Sequence, residues 1–225
     1  MQWLSRSEIL LGKDKTQKLE NSHIAVFGLG GVGGLCTEAL ARTGVGKFTL
    51  VDADVFEESN LNRQAFSDIQ TIGQFKTQVA KERILKINPG ASITTFTVFA
   101  DSSNIDSILK DRPDAVIDAI DSVSSKTFLL EYCLENNIKV FSSMGAALKT
   151  DPLKIKTADL MDTQVCPLAK IVRTSLTNDG FGRGILCVYS TEKSCKRENG
   201  EVLGSYAPVT GTFALVLADL VVKNI

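Results

Sequence analysis

Short apolar runs of about five residues alternate along this chain with longer segments whose apolar residues recur every three or four positions. His23-Ile-Ala-Val-Phe27 is apolar after its first residue and ends at a glycine, as a strand buried on both faces of a parallel sheet does. Residues 31–43 then carry apolar side chains at helical spacing, and Lys47-Phe-Thr-Leu-Val51 reads as a second strand, which completes a βαβ unit. Residues 74–87 predict a helix closed by Asn88-Pro89-Gly90, and residues 92–99 alternate and are rich in β-branched side chains, as in a strand. A strand at 115–120, a helix at 126–136 and a strand at 139–143 continue the alternation. Beyond Gly145 the pattern weakens: a strand at 154–157, a helix at 167–177, a strand at 184–190, a polar loop at 191–210 and a last apolar helix ending near Lys223. Ahead of the first strand, residues 10–19 predict a short amphipathic helix.

Strands alternating with helices predict an α/β fold with a doubly wound, mainly parallel, Rossmann-like sheet and a less regular C-terminal part. No internal repeat or linker interrupts the pattern, so one domain over residues 1–225 is expected, with a nucleotide-binding half at about 20–145 and a substrate-side half at about 146–225.

Composition narrows the function. At 44% hydrophobic and 23% charged residues, the chain is ordinary for a globular protein and unlike collagen-like or disordered classes. Its 25 basic and 26 acidic residues leave a net charge of −1, so RNA contact must be local. Lys149, Lys154, Lys156, Lys170 and Arg173 lie beyond the nucleotide-binding half and are the candidates for it. Five cysteines, at 36, 133, 166, 187 and 195, show no CxxC spacing, so neither a disulfide framework nor a structural zinc site is expected. The N-terminus lacks an apolar signal region and Asp219 interrupts the last apolar stretch, so a cytoplasmic protein without a membrane span is expected.

The chemistry gathers in the first half. Gly28-Leu29-Gly30-Gly31-Val32-Gly33-Gly34 follows one strand and opens a helix, where glycines allow a tight turn and helix N–H groups attract phosphate oxygens. Asp52 ends the second strand, where a carboxylate hydrogen-bonds a ribose hydroxyl. Asp54, Asn60, Asn62, Arg63, Gln64, Lys76, Asp118 and Asp121 follow. An arginine, a lysine and a carboxylate at the ends of parallel strands suit a triphosphate and its magnesium: Arg63 and Lys76 for the phosphates, Asp121 for the metal. NAD needs neither.

Gly28-x-Gly30-Gly31-Val-Gly33, Asp52-x-Asp54, Asn60-Leu-Asn62-Arg63-Gln64, Gly73-x-x-Lys76 and Asp118-x-x-Asp121 resemble the ubiquitin-activating-like superfamily of adenylating enzymes. Ser5-Arg6-Ser-Glu-Ile-Leu-Leu-Gly12, the stretch from Ile117 to Val123, Ser142-Ser-Met-Gly145, Asp151-Pro152 and the segment from Pro167 to Ser190 are similar to the tRNA threonylcarbamoyladenosine dehydratases within it. The resemblance implies that ATP and Mg2+ are used, that the motif glycines and polar residues from Gly28 to Asp121 hold the nucleotide, and that Arg63, Lys76 and Asp121 act in catalysis. It also implies that Arg6 reaches the ATP site of a partner subunit in a homodimer, with a sulfur-relay protein as a further partner. The expected substrate is tRNA carrying threonylcarbamoyladenosine, whose free carboxylate is adenylated before ring closure. Three alternatives use some of the same residues: an activator of a ubiquitin-like or sulfur-carrier protein, an NAD-linked dehydrogenase, and a scaffold that binds ATP without turning it over. Cys166, Cys187 and Cys195 are candidates for a thiol acceptor, and His23 for a general base.

Overall fold

The computed structural model describes residues 2–195 and 203–225. Seven strands form one sheet: β1 (His23–Phe27), β2 (Lys47–Val51), β3 (Ser92–Phe96), β4 (Ala115–Asp118), β5 (Val140–Ser143), β6 (Ile155–Asp159) and β7 (Leu186–Ser190), in the spatial order β3-β2-β1-β4-β5-β7-β6. All neighbours run parallel except β6, which pairs antiparallel with β7. The doubly wound α/β architecture expected from the pattern is present. The irregular second half adds β7 and the antiparallel edge strand β6 to that same sheet.

The described helices are α1 (Ser5–Leu11), α2 (Lys13–Asn21), α3 (Gly33–Thr43), α4 (Lys76–Ile87), α5 (Ile105–Ile108), α6 (Val123–Glu135), α7 (Pro167–Asn178) and α8 (Ala207–Asn224). The pleat of β1 sends Ile24 and Val26 to one face of the sheet and Ala25 and Phe27 to the other. On the first face they meet Leu40 of α3, Ile84 of α4, and Phe213 and Leu217 of α8; on the second they meet Leu129 and Leu130 of α6 and Val172 of α7. Each such side chain, fully buried, contributes about 1.5–3 kcal/mol. By length and composition α8 could cross a membrane, yet its Phe213, Leu217 and Val221 are fully buried beside α3.

Several expectations change, the strands at 92–99 and 115–120 ending at Phe96 and Asp118 among them. The single helix at 10–19 is two helices, because Gly12 adopts φ 85 and ψ 155 between them. The loop at 191–210 ends sooner, since Pro208, compatible with the first turn of a helix, lets α8 start at Ala207. Residues 196–202 of that loop lie outside the described residues. The one-turn helix α5 was not anticipated, four residues being too few to show a period.

Candidate active site

Strand order reverses between β1 and β4, and in an open α/β sheet such a reversal leaves a crevice beyond the carboxyl ends of the strands. A cavity of about 640 Å³ occupies that place. It is lined by the loop after β1, the ends of β2, β4 and β5, and the start of α7.

The glycine loop forms its floor. Gly28 has φ +88, and a Cβ on it would stand 2.7 Å from the Ala119 carbonyl oxygen, so only glycine brings the β1 and β4 loops this close. Gly30 and Gly31 line the cavity, with α3 starting behind them. Gly33 is not on the cavity wall: its missing Cβ would meet the Gly28 carbonyl oxygen at 1.8 Å, so it packs the helix onto the turn.

Beside the loop, Asp52 accepts the Leu29 N–H on Oδ2 at 2.6 Å and the Asp54 N–H on Oδ1 at 2.9 Å. Burial pushes its carboxyl above the usual range, while Lys76 and the two N–H groups pull the other way. Lys76 opens α4, is 7% exposed, and donates to Asp54 Oδ2 at 2.9 Å. Arg63 is half-buried, its Nη1 donating to the Ser59 carbonyl at 2.8 Å and to Asn62 Oδ1 at 2.9 Å. Gln64 is buried on the cavity wall with no partner for its Oε1 among the described residues. Asp121 lines the cavity from the loop after β4, exposed. Val98, Phe99, Ile120 and Val123 supply an apolar wall that suits a flat ring system.

From the nucleotide loop the cavity runs on past Ser143, Met144 and Gly145 to Lys149, and to Cys166, Pro167, Leu168 and Ile171 at the head of α7. Leu148 (φ 58) and Val165 (φ 68) flank this end, two non-glycine residues in a costly backbone region.

The remaining predicted residues fall elsewhere. Asn60 closes a local turn, its Oδ1 accepting the Glu57 N–H, and Asn62 Nδ2 donates to the Ser205 carbonyl; neither lines the cavity. Arg6 stands exposed on α1, off the cavity wall of its own chain. His23 begins β1, at the end of the strand away from the glycine loop, where Nε2 is 2.8 Å from Thr49 Oγ1 and burial lowers its pKa; a base there does not reach the cavity. Burial pushes the Cys187 thiol up to about 12, which disfavours the thiolate a nucleophile needs. Of the proposed RNA-facing cations, Lys149 is buried and Arg173 is tied to the Thr163 carbonyl and hydroxyl at 2.8 Å, while Lys154, Lys156 and Lys170 are exposed.

Sequence reasoning passed over Lys126. It is fully buried, and its Nζ donates to Asp118 Oδ2 at 2.6 Å and to the Ser143 carbonyl at 3.0 Å. Asp118 also accepts the Ser142 hydroxyl at 2.5 Å and the Ile120 N–H at 3.1 Å, so this cluster joins the two loops that carry Asp121 and Gly145. Lys126 falls on the same helical stripe as Leu129, Leu130 and Cys133, and a lysine in an apolar stripe was the signal that could have revealed it.

The ThiF family matches residues 4–225. The tRNA threonylcarbamoyladenosine dehydratase of Bacillus subtilis is 41% identical over 188 residues, 84% of this chain and 74% of that relative. The Escherichia coli protein of the same name is 39% identical, over 81% of this chain and 71% of its own length. The crystal structure of that E. coli enzyme, TcdA, in complex with ATP matches with a TM-score of 0.93 at 36% identity, covering 99% of this chain and 93% of the other.

Proposed function

Since this chain belongs to the ThiF family, we propose that it is an ATP-dependent tRNA threonylcarbamoyladenosine dehydratase, cytoplasmic and homodimeric. The observation that carries this reading is the continuity of one cavity from the glycine loop and its cations to the head of α7, which accommodates a nucleotide and a second reactant side by side.

Asp52 binds the ribose, using lone pairs not taken by the Leu29 and Asp54 N–H groups. The apolar wall from Val98 to Val123 receives the adenine. Arg63 and Lys76 hold the phosphates, Lys76 being kept in place by Asp54. Asp121, an exposed carboxylate beside them, fits Mg2+, which takes one or two protein carboxylates and completes its shell with water and phosphate oxygens. When bound, the ion neutralises charge developing on the phosphates.

The substrate carboxylate is a poor electrophile. Its oxygen attacks the α-phosphorus, the bond to pyrophosphate breaks, and a mixed anhydride with AMP forms. A nitrogen of the same substituent then attacks the carbonyl, AMP leaves with the former carboxylate oxygen, and the nitrogen loses its proton. The base has lost one water. Positioning and cationic stabilisation supply the acceleration, which asks for no protein nucleophile. Of the candidate cations, Lys154, ion-paired with Asp151 at 3.5 Å, Lys156 and Lys170 are exposed and face the tRNA. Arg6 completes the ATP site of the partner subunit, and a sulfur-relay protein is a further partner.

The test is to incubate the protein with ATP, magnesium and tRNA carrying threonylcarbamoyladenosine, then digest the tRNA and weigh the nucleoside. Loss of one water with stoichiometric AMP is expected. An unchanged nucleoside, with AMP forming only when a carrier protein ending in Gly-Gly is added, would replace this reading with the activator.

A further inference from the structure

The cationic side chains lining the cavity, among the described residues, are Arg63, Lys76 and Lys149. The first two stand on the nucleotide side. Lys149 follows β5, beyond Ser143 and Gly145, on the side where the second reactant must enter. It is 3% exposed, and among the described residues it has no ion-pair partner, unlike Lys76 with Asp54. Its Nζ donates to the Glu192 carbonyl oxygen and, at 3.3 Å, to Ser194 Oγ, which leaves one of its three N–H groups unassigned. The Glu192 carboxylate is near enough to feel this charge, but its oxygens are occupied by the Thr150 and Asp151 N–H groups and the Thr150 hydroxyl. Glu192 offsets part of this buried charge without hydrogen-bonding the ammonium, and the N–H left over is free to meet an anion that enters the cavity. The backbone holds Lys149 there: Leu148, just before it, has φ 58, donates its N–H to the Gly204 carbonyl and accepts the Cys195 N–H.

We propose that Lys149 is the receptor for the substrate's free carboxylate, and so the residue that selects a carboxylate-bearing base. This rests on the dehydratase reading, which requires a carboxylate to approach the α-phosphate. The two anions repel, and a cation on the carboxylate's own side offsets that repulsion without competing for the phosphates held by Arg63 and Lys76.

The experiment compares binding of two tRNAs, identical except that one carries threonylcarbamoyladenosine and the other plain adenosine, to the wild-type protein and to K149Q. Wild type should prefer the modified tRNA by roughly ten- to a hundredfold, the size of one charge-assisted contact. K149Q should bind both alike, with its affinity for ATP unchanged, and K149R should keep a preference. Should K149Q not fold, K149M, which preserves the packing of the stem, takes its place. A neutral variant that still discriminates as wild type does would overturn the proposal, as would equal loss of ATP binding, which would make Lys149 merely structural. If wild type dehydrates the tRNA and K149Q does so equally well, only the role of Lys149 falls. If wild type neither discriminates nor dehydrates, the dehydratase reading falls and takes this inference with it.

Discussion

Lys126 Nζ lies 2.6 Å from Asp118 Oδ2, and neither side chain is exposed to any degree. A pair this deep adds little net stability, but removing one partner leaves the other charge buried alone, which costs about 3–5 kcal/mol. Lys126→Met should therefore lower the melting temperature by roughly 6–20 °C for a chain of this size. The double variant Lys126→Met/Asp118→Asn should lose less than the sum of the two single losses. Additive losses in thermal denaturation would show that the two groups are not coupled.

Arg63 and Asp121 sit in the cavity wall outside the apolar core, so truncating them tests chemistry more than folding. Arg63→Ala and Asp121→Ala should each keep a near-native melting temperature and lower AMP formation by roughly 10²–10³. AMP formation at close to the wild-type rate in either variant would remove that residue from the site.

Much of this was legible along the chain, because local pattern and global position agree there. β1 and β2 coincide with their predicted residues: a fully buried parallel strand is a continuous apolar run whose ends are marked by turns. The glycine loop was legible for the same reason, its backbone needing glycine at Gly28 and Gly33 whatever the ligand. Side chains whose role depends on a distant partner were less so. Arg173 looked like a free surface cation until the fold brought the Thr163 carbonyl to it, and Lys149 until Glu192 folded over it. Asn60 and Asn62 carry the family spacing yet hold the loop that presents Arg63, a distinction spacing cannot make.

Glu38 gives the fold a pH dependence with a definite sign. Burial raises its pKa, but hydrogen bonds from Arg83 and Arg42 outweigh burial and hold the carboxyl below its ordinary value of 4.5. A lowered folded-state pKa means that the stabilisation is fully present above the unfolded value and disappears as pH falls through the folded one. Glu38→Gln should accordingly melt below wild type at neutral pH, and the gap should close in acid, below the ordinary carboxylate range. A gap independent of pH would mean that glutamate acts there through packing alone.

Among the described residues Cys195 is the exposed cysteine, while Cys36, Cys133, Cys166 and Cys187 are buried. Burial pushes the thiols of Cys133 and Cys187 up to about 12, far from reactivity at neutral pH. A thiol reagent should modify one cysteine quickly in the native protein and all five after denaturation. Cys195→Ser should abolish the fast phase, and Cys187→Ala should leave dehydration nearly intact. Loss of turnover in Cys187→Ala without loss of fold would bring a thiol step back into the mechanism.

Two glycines separate a backbone requirement from a packing one. Gly12 has φ +85 and ψ 155 with nothing within 4 Å of where a Cβ would sit, so Gly12→Ala meets only the backbone penalty of a region nearly closed to other residues, about 1–3 kcal/mol. At Gly33 no positive φ is involved, but the added methyl would fall 1.8 Å from the Gly28 carbonyl oxygen and 3.0 Å from Ala119 Cβ. Neither neighbour is a flexible side-chain end, so relief requires α3 to move off the turn that carries Gly28, Gly30 and Gly31 to the cavity. Gly33→Ala should thus weaken ATP binding together with stability, whereas Gly12→Ala should lower the melting temperature and leave ATP affinity unchanged. Calorimetric titration of both variants with ATP decides it, and unaltered affinity in Gly33→Ala would show that the turn holds its shape without close contact to α3.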